Sequence, residues 1–487
     1  MIAMKNLILQ TDSYKLSHFL QYPQMNYMHD YIESRGGLYG YTRFFGLQYY
    51  LKKYLAGQVI TMDMVQEAKE VASWHGIPFN EEGWTYIAKN LQGKLPLRIR
   101  AVPEGSVVKN HNALVTVEST DANVPWIVGW VETLLLKVWY PITVCSFSYK
   151  MRRMIETGLE RTSDAVAESL PFKLHDFGYR GASSEETACL GGMSHLVNFM
   201  GTDTMGALLL TKDIYHAEQA GFSVPASEHS TTTAWEKGNE KLAFETIIKN
   251  NFHFPIISLV ADSYDYFNAV DNIIGKELRD LIVEHEGFIT IRPDSGDAIT
   301  NILYALQSIE RNFGVMVNSK GYKVLNKIRI LQGDGISENT VYDILRILIR
   351  EKWSVENVIF GCGGALLQGN STSSINRDTH KFAMKCSAIG VVDENTGKTK
   401  IIDVYKQPIT DPGKDSKKGR LDLIYNKETK SLVTVSINDL ALNEYHPNSV
   451  LNLIFENGEI IKEYTFDEVK TNENLFEHQF PTGFEHE

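Results

Sequence analysis

Between Lys173 and Asp203 the chain sets an aromatic ring (Phe177), a guanidinium (Arg180), a turn glycine (Gly181), a helix start and a carboxylate (Asp203) in one short stretch. An aromatic face stacks on a flat heteroaromatic, a guanidinium takes a phosphate through paired N–H groups, and a carboxylate accepts from an amide N–H. That set suits a ligand that is a planar ring at one end and a phosphorylated sugar at the other.

Four other motifs carry polar or glycine residues at positions that could face a ligand. Arg292-Pro293-Asp294-Ser295-Gly296-Asp297 reads as a strand-turn-helix corner with either a surface ion pair or a ligand-facing Arg292 and Asp294. Asp297 is placed to favour a helix amino end. Gly361-Cys362-Gly363-Gly364 follows an apolar run; its glycines let backbone amides approach a phosphate. It lacks the last glycine of a dinucleotide fingerprint, so a Rossmann site is poorly supported. Gln332-Gly333-Asp334-Gly335 is similar in kind. Glu228-His229 sits between a strand-like run and a predicted helix containing Trp235; a lone histidine there is structural unless something else gives it a partner.

These residues need positioning elements. From about residue 170 to 365 a short apolar run, a Gly- or Asp-rich corner and a helical pattern recur. The runs are Phe172–Leu174, Phe222–Val224, Ile256–Val260, Phe288–Ile291, Ile328–Leu331 and Val358–Phe360. Strands alternating with helices predict a parallel α/β arrangement. Ser183 to Glu186 has capping-box spacing before a helix through Leu196. After Asp297, residues Ile299, Ile302, Leu303, Leu306 and Ile309 keep a helical period. His175, Phe177, His229, Asp262, Arg292, Asp294, Asp334 and Gly363 follow the apolar runs closely. Such positions converge on one mouth in a closed barrel and on one edge in an open doubly wound sheet, and spacing does not separate the two.

The flanks read differently. Residues 1–150 mix a helix through Val65, Ala68, Val71 and Ala72, stopped by Gly76 and Pro78, with strand-like Leu97–Val102. Residues 385–487 alternate like strands at Leu432–Ile437 and Val450–Glu456, with a turn at Asn457-Gly458. The expected organisation is an α/β domain over 151–384 and one outer α+β domain made from 1–150 and 385–487.

A chain of 487 residues, 43% apolar and 22% charged, has ample core for two or three domains. Its formal net charge of −12 argues against a nucleic-acid binder, while leaving room for a locally basic phosphate pocket. Cys145, Cys189, Cys362 and Cys386 lie far apart with no CxxC pair, which predicts reduced thiols and neither disulfides nor a zinc site. The apolar stretch Trp126 to Phe147 is interrupted by Glu132, Lys137 and Pro141, as in a buried core segment. The amino-terminal run Met1–Gln10 is too short for a signal peptide, and the Asn370-Ser371-Thr372 sequon has no bearing in a cytoplasmic chain. The expectation is a soluble cytoplasmic protein with no membrane association.

In order along the chain, Thr11-Asp12-Ser13-Tyr14-Lys15, Lys173 to Asp203, Gly221 to Ser230, Arg292 to Gly296, Gln332 to Gly335 and Phe360 to Gly364 closely resemble the nicotinamide phosphoribosyltransferases. The likeness runs from Thr11 to about Lys470. It implies an irregular α/β barrel of the nicotinate/quinolinate (type II) phosphoribosyltransferase kind. It also implies transfer of phosphoribosyl from 5-phosphoribosyl-1-pyrophosphate to nicotinamide, with Mg2+, with ATP as co-substrate, and in a homodimer with shared active sites. Residue by residue, it implies Phe177 and a partner's Tyr14 on the two faces of the base, and Asp203 and Arg292 on its amide, with Arg180 nearby. Asp294, Gly333 and Asp334 would serve the ribose, and Gly363, Gly364, Arg377 and Lys385 the 5-phosphate. Arg35 would reach the partner's phosphate site. His229 would be transiently phosphorylated by ATP, with Asp262 beside it and the metal held mainly by substrate phosphates.

A desolvated Asp203 facing the carboxylate of nicotinate would be a like-charge contact costing several kcal/mol, which favours the amide. Lys406, Lys414 and the run Ser416-Lys417-Lys418-Gly419-Arg420 form the one locally basic loop, which reads as either a solvated loop or a phosphate clamp with Lys406 serving across the interface. Two segments, Gly36 to Thr42 and the stretch between Asp203 and Gly221, are short for the family, and Asp213 follows Lys212 where relatives carry two lysines. These departures suggest a bacterial or phage form and bear on ATP affinity. A nicotinate-using relative and a catalytically silent ligand sensor remain as alternatives; retention of His229, Asp262, Gly363 and Gly364 weighs against the sensor.

Overall fold

The computed structural model describes residues 6–370, 375–393, 397–410 and 414–476; Ser371 and Thr372 of the sequon and the first five residues lie outside these. The chain divides into two compact units. One takes the residues up to Ser146, residues 213–217 and the residues from Asn376; the other takes residues 147–212 and 218–375.

The second unit is built on six parallel strands in the spatial order 201–202, 174–176, 358–362, 328–332, 288–292, 256–260. Strands at 288–292, 328–332 and 358–362 are consecutive neighbours joined by the helices Ala298–Phe313 and Glu338–Arg350, the crossover that parallel pairing requires. The sheet edges do not stay open. Gly201 bridges Phe222 and Ser258 bridges Ala226, both in parallel sense, so the segment between them joins the first strand to the last. The result is an irregular α/β barrel. The run Phe222–Val224, expected as a strand, makes only this bridge, because Pro225 has no N–H to continue a ladder; Ser258 N–H donates to its carbonyl instead.

Local chemistry explains the helices. Asp297 caps the helix Ala298–Phe313 by accepting from Thr300 N–H at 2.8 Å. Ile302, Ala305, Leu306 and Ile309 form its buried stripe, each large side chain contributing about 1.5–3 kcal/mol on burial. The helix Glu185–Leu196 starts one residue later than its sequence suggests. Ser184, fully extended, accepts from Thr187 N–H at 3.2 Å, and the Ser183–Glu186 box does not form. The first strand is likewise shifted to Leu174–Asp176, since Pro171 locks Leu170–Phe172 into a 3-10 turn.

The first unit carries a seven-stranded antiparallel sheet in the order 399–403, 382–392, 27–34, 113–119, 97–101, 452–456, 459–460. Strands from both ends of the chain thus interleave: Tyr27–Ser34 pairs with Phe382–Val392, and Leu97–Ala101 with Asn452–Glu456. The helix Met62–His75 stops at Gly76 (φ 76°), and the hairpin after Glu456 turns on Asn457 (φ 50°) and Gly458 (φ 82°), two left-handed residues as a tight hairpin needs. The helical stretch Ile127–Thr162 is long and apolar enough to cross a membrane by composition alone, but 72% of its most apolar window is buried, as in a core helix.

Candidate active site

In the barrel unit, the residues singled out from sequence stand at the carboxyl ends of the parallel strands, the end of such barrels that carries ligand sites. Phe177 follows the strand Leu174–Asp176, and its N–H donates to Cys362 O at 2.9 Å. Its half-buried ring lies across Gly361, where a Cβ would come within 2.1 Å of Cε2; at Gly333 a Cβ would lie 3.5 Å from the same atom. Two glycines therefore make the floor on which the ring rests. His175 stands 6.1 Å from Phe177, ring centre to ring centre, and covers Gly201. Burial lowers the His175 pKa against the opposing pull of Asp203, so the imidazole is held neutral. Gly178 is walled in by Gly363 O and Leu367, and Gly181 by Gly364 Cα. Arg180, between them, is exposed.

Asp203 follows the neighbouring strand. Its N–H donates to Asp176 O at 2.9 Å, and its Oδ1 accepts from the Ser223 hydroxyl at 2.6 Å. The carboxylate is exposed and faces outward with one oxygen committed.

A second group assembles at three other strand ends. His229 Nε2 meets Asp262 Oδ1 at 3.1 Å, and the other oxygen of Asp262 accepts from Ser295 Oγ at 2.5 Å. The side chain of Asp262 is 6% exposed and that of His229 45%. Arg292 Nη2 donates to Asp294 Oδ2 at 2.6 Å, and the same oxygen stands 4.0 Å from His229 Nδ1. A carboxylate facing Nε2 favours the tautomer with its proton there, leaving the lone pair on Nδ1. His229 opens a short helix, His229–Thr233, capped by Glu228; the helix ends before Trp235, which sequence placed inside it. Gly333 is half-buried and Asp334 exposed, with Asp334 O accepting from Gln332 Nε2 at 2.9 Å. Gly363 and Gly364 stand at the start of the four-residue helix Gly364–Leu367.

The first unit holds the remaining candidates. Tyr14 is 55% exposed on the turn Ser13–Leu20, its ring edge-on to His18. That turn is tied down by Thr11 Oγ1 to Trp130 O, Asp12 to Thr133, and Lys15 to Glu132. Arg35, Arg377, Lys385, Lys406 and Lys414 line one pocket of about 480 Å3, joined by Lys381, Asp378 and Ser416. Arg35 Nε donates to Glu33 at 2.9 Å, while Nη2 is buried with no hydrogen-bond partner among the described residues. A buried guanidinium nitrogen left open at a cation-lined pocket is what a phosphate oxygen satisfies.

The basic loop after Asp415 is not uniform. Arg420 is fully buried and donates to the carbonyls of Leu440, Ala441, Leu442 and Glu444, and Lys417 pairs with Glu33 at 2.5 Å. Those two are structural; the loop is pinned by Lys406 N–H to Ser416 Oγ at 2.8 Å. Sequence reasoning passed over Ser223, Ser295, Lys381 and Asp176. Ser223, Ser295 and Asp176 are tied to Asp203, Asp262 and Thr204, far along the chain from them, and only Lys381, close to Arg377 and Lys385, carried a local signal.

Residues 172–445 match the nicotinate phosphoribosyltransferase (NAPRTase) family model, and residues 6–99 match the nicotinamide phosphoribosyltransferase N-terminal domain. The chain is 46% identical to a nicotinamide phosphoribosyltransferase of Xanthomonas campestris pv. campestris (strain 8004), over 96% of this chain and 98% of that protein. It is 31% identical to the enzyme of that name from Mycoplasma pneumoniae, over 85% and 95% respectively. Among solved structures, the nicotinate-nucleotide pyrophosphorylase of Pyrococcus furiosus superposes with a TM-score of 0.58 at 15% identity, covering 96% of this chain and 95% of that one. Human nicotinic acid phosphoribosyltransferase gives 0.53 at 14%, covering 96% and 93%; at such identity the likeness is one of fold. With its barrel, its strand-end residues and near full-length identity to curated members, this chain belongs to the nicotinate phosphoribosyltransferase (NAPRTase) family.

Proposed function

We propose that this protein transfers the phosphoribosyl group of 5-phosphoribosyl-1-pyrophosphate to nicotinamide, giving nicotinamide mononucleotide and pyrophosphate, a step of NAD salvage. The observation that carries the choice of base is Asp203, an exposed carboxylate with Oδ1 held by Ser223, one strand away from the Phe177 ring. The free oxygen accepts from the carboxamide N–H of nicotinamide and repels the carboxylate of nicotinate.

The pyridine nitrogen uses its lone pair to attack C1 of the ribose. The C1–O bond breaks through an oxocarbenium-like centre, and the bonding electrons leave with pyrophosphate. No proton need be removed from the nucleophile. The protein's work is therefore alignment and charge neutralisation. Phe177 supports the ring, Arg292 and Asp203 orient the amide with Arg180 nearby, and Asp294, Gly333 and Asp334 hold the ribose. Gly363, Gly364 and the cations Arg377, Lys385 and Lys414 hold the phosphates. Mg2+ would enter on substrate phosphates with Asp262 nearby, supplying charge neutralisation to the leaving group.

ATP phosphorylation of His229, oriented by Asp262, would couple nucleotide hydrolysis to turnover. The working form is a homodimer in the cytoplasm, in which Tyr14 of a second copy covers the other face of the base, and Arg35 and Lys406 serve the partner's phosphates. The test is a product assay with nicotinamide and with nicotinate, each with and without ATP, on wild type and His229→Ala. Nicotinamide mononucleotide as the main product, with ATP stimulation lost in the variant and a slow basal rate kept, is the expected result. A preference for nicotinate would defeat the assignment of Asp203.

A further inference from the structure

We propose that Asp176 is a positioning residue that fixes the spacing between the ring platform and the amide acceptor, by tying the Phe177 turn to the Asp203 turn. This rests on the reading of Phe177 and Asp203 given above. One oxygen, Oδ1, accepts from Gly178 N–H at 2.7 Å, immediately after Phe177. The other, Oδ2, accepts from Thr204 Oγ1 at 2.7 Å, immediately after Asp203. The main-chain carbonyl of Asp176 takes Asp203 N–H at 2.9 Å. Three hydrogen bonds accepted by one residue thus hold both turns.

Its surroundings leave the carboxylate little freedom. Asp176 is fully buried in the strand paired with Thr202 on one side and Cys362 on the other. Over it passes Gly192 of the helix Glu185–Leu196, where a Cβ would lie 3.1 Å from Oδ2 and 2.8 Å from Ala207 Cβ. Both side-chain partners are neutral. Burial raises the pKa of this acid to about 6, against the hydrogen bonds from Thr204 and Gly178. A buried acid without a counter-ion costs stability, and an apolar residue would fill the space without that cost. What an apolar residue cannot do is accept from two turns at once.

The consequence is specific to the base. Phe177 and Asp203 would contact nicotinamide, whereas the cation-lined pocket belongs to the other unit and makes no use of Asp176. Loosening Asp176 should therefore weaken the base more than the diphosphate. The experiment compares wild type, Asp176→Ala, Asp176→Asn and Thr204→Val in the full-length enzyme. It reads the KM of each substrate, kcat and the melting temperature. In Asp176→Ala the KM for nicotinamide is expected to rise about tenfold or more while that for 5-phosphoribosyl-1-pyrophosphate stays within about threefold. Asp176→Asn keeps an acceptor for Gly178 and should recover most of the loss; Thr204→Val, losing one arm, should show a rise of about threefold in the nicotinamide KM alone.

An unchanged nicotinamide KM in Asp176→Ala overturns the proposal, as does a parallel rise of both KM values in step with a lower melting temperature. If Asp176→Ala does not fold, Thr204→Val decides by the same criterion. Wild type that turns over nicotinamide beside unaffected variants defeats this inference alone. Wild type that does not use nicotinamide defeats the base assignment and this inference with it.

Discussion

Ser223 donates its hydroxyl to Asp203 Oδ1 at 2.6 Å, so the carboxylate is aimed before any ligand arrives and presents one oxygen rather than two. That aim makes a charge-based selectivity filter. Asp203→Asn keeps the shape, removes the charge and adds an N–H donor. The preference for nicotinamide over nicotinate, measured as the ratio of kcat/KM values, should fall by roughly 10- to 100-fold, chiefly through gained activity on nicotinate. An unchanged ratio would mean that Asp203 does not meet the base.

Asp262 divides its oxygens between His229 at 3.1 Å and Ser295 at 2.5 Å. Removing the charge in Asp262→Asn should abolish ATP stimulation about as completely as His229→Ala, because a phosphorylated imidazole loses its orienting partner. Ser295→Ala leaves the charge but frees its direction, and should cut stimulation roughly 3- to 10-fold. Rates with and without ATP, at fixed saturating nicotinamide, separate these effects from the basal reaction. Stimulation at the wild-type level in both Asp262→Asn and Ser295→Ala would remove Asp262 from the coupling.

At Gly361 the constraint is steric. An added methyl would sit 2.1 Å from the Phe177 ring, and no ring placement near the present one tolerates that. Gly361→Ala should push the ring off its floor and raise the nicotinamide KM by tenfold or more, at roughly constant affinity for the phosphate substrate. The companion Phe177→Ala should give a similar KM. If Gly361→Ala binds nicotinamide normally, the ring is not the platform.

Much of the barrel is legible in sequence because its strands are short runs of Ile, Val and Phe ending in Gly or Asp: Ile256–Val260 and Ile328–Gln332 are found nearly to the residue. The helix cap at Asp297, the helix stop at Gly76 and the hairpin turn at Asn457-Gly458 are local chemistry and read equally well. Closure of the ring is not legible. It is made by single bridges at Phe222 and Ala226, whose flanking Pro225 erases the strand pattern. The grouping of His229, Asp262, Arg292 and Asp294 follows from their shared place after strands. Asp176 and Ser223 are not legible for a different reason: a buried acid reads like an exposed one, and a serine like any other polar residue, until Thr204 and Asp203, far along the chain, are known as their partners. Arg420 shows the reverse error, a cation in a basic run whose guanidinium is spent on four carbonyls.

Lys381 carries no role from sequence, yet it lines the same pocket as Arg377 and Lys385 and holds a left-handed backbone (φ 51°), a conformation uncommon outside glycine. Lys381→Ala is expected to raise the KM for 5-phosphoribosyl-1-pyrophosphate about 3- to 10-fold, with a weaker salt dependence, and to leave the nicotinamide KM alone. Lys381→Gly at the same site separates relief of backbone strain, seen as a higher melting temperature, from loss of charge. Identical phosphate-substrate KM values in wild type and both variants would exclude Lys381 from the pocket's function.

Asp30 supplies a pH test that does not depend on activity. It is buried in the strand Tyr27–Ser34 opposite Cys386, with no hydrogen-bond partner for Oδ1 among the described residues. Burial first, and the Glu132 carboxylate second, raise its pKa from 3.8 to about 7, against Lys15, Cys386 and Lys385. The folded state therefore holds this proton to higher pH than the unfolded chain does. Stability from Asp30 is fully present below about pH 4 and is lost as pH rises towards 7, after which both states are ionised and the loss stops growing. Asp30→Asn cannot ionise and escapes that loss. Between pH 5 and pH 8 its stability relative to wild type should improve by about 3 kcal/mol, two pKa units at 1.36 kcal/mol each, seen as a melting-temperature advantage several degrees larger at pH 8. An advantage of the same size at both pH values would show that Asp30 is already ionised at pH 5 inside the fold.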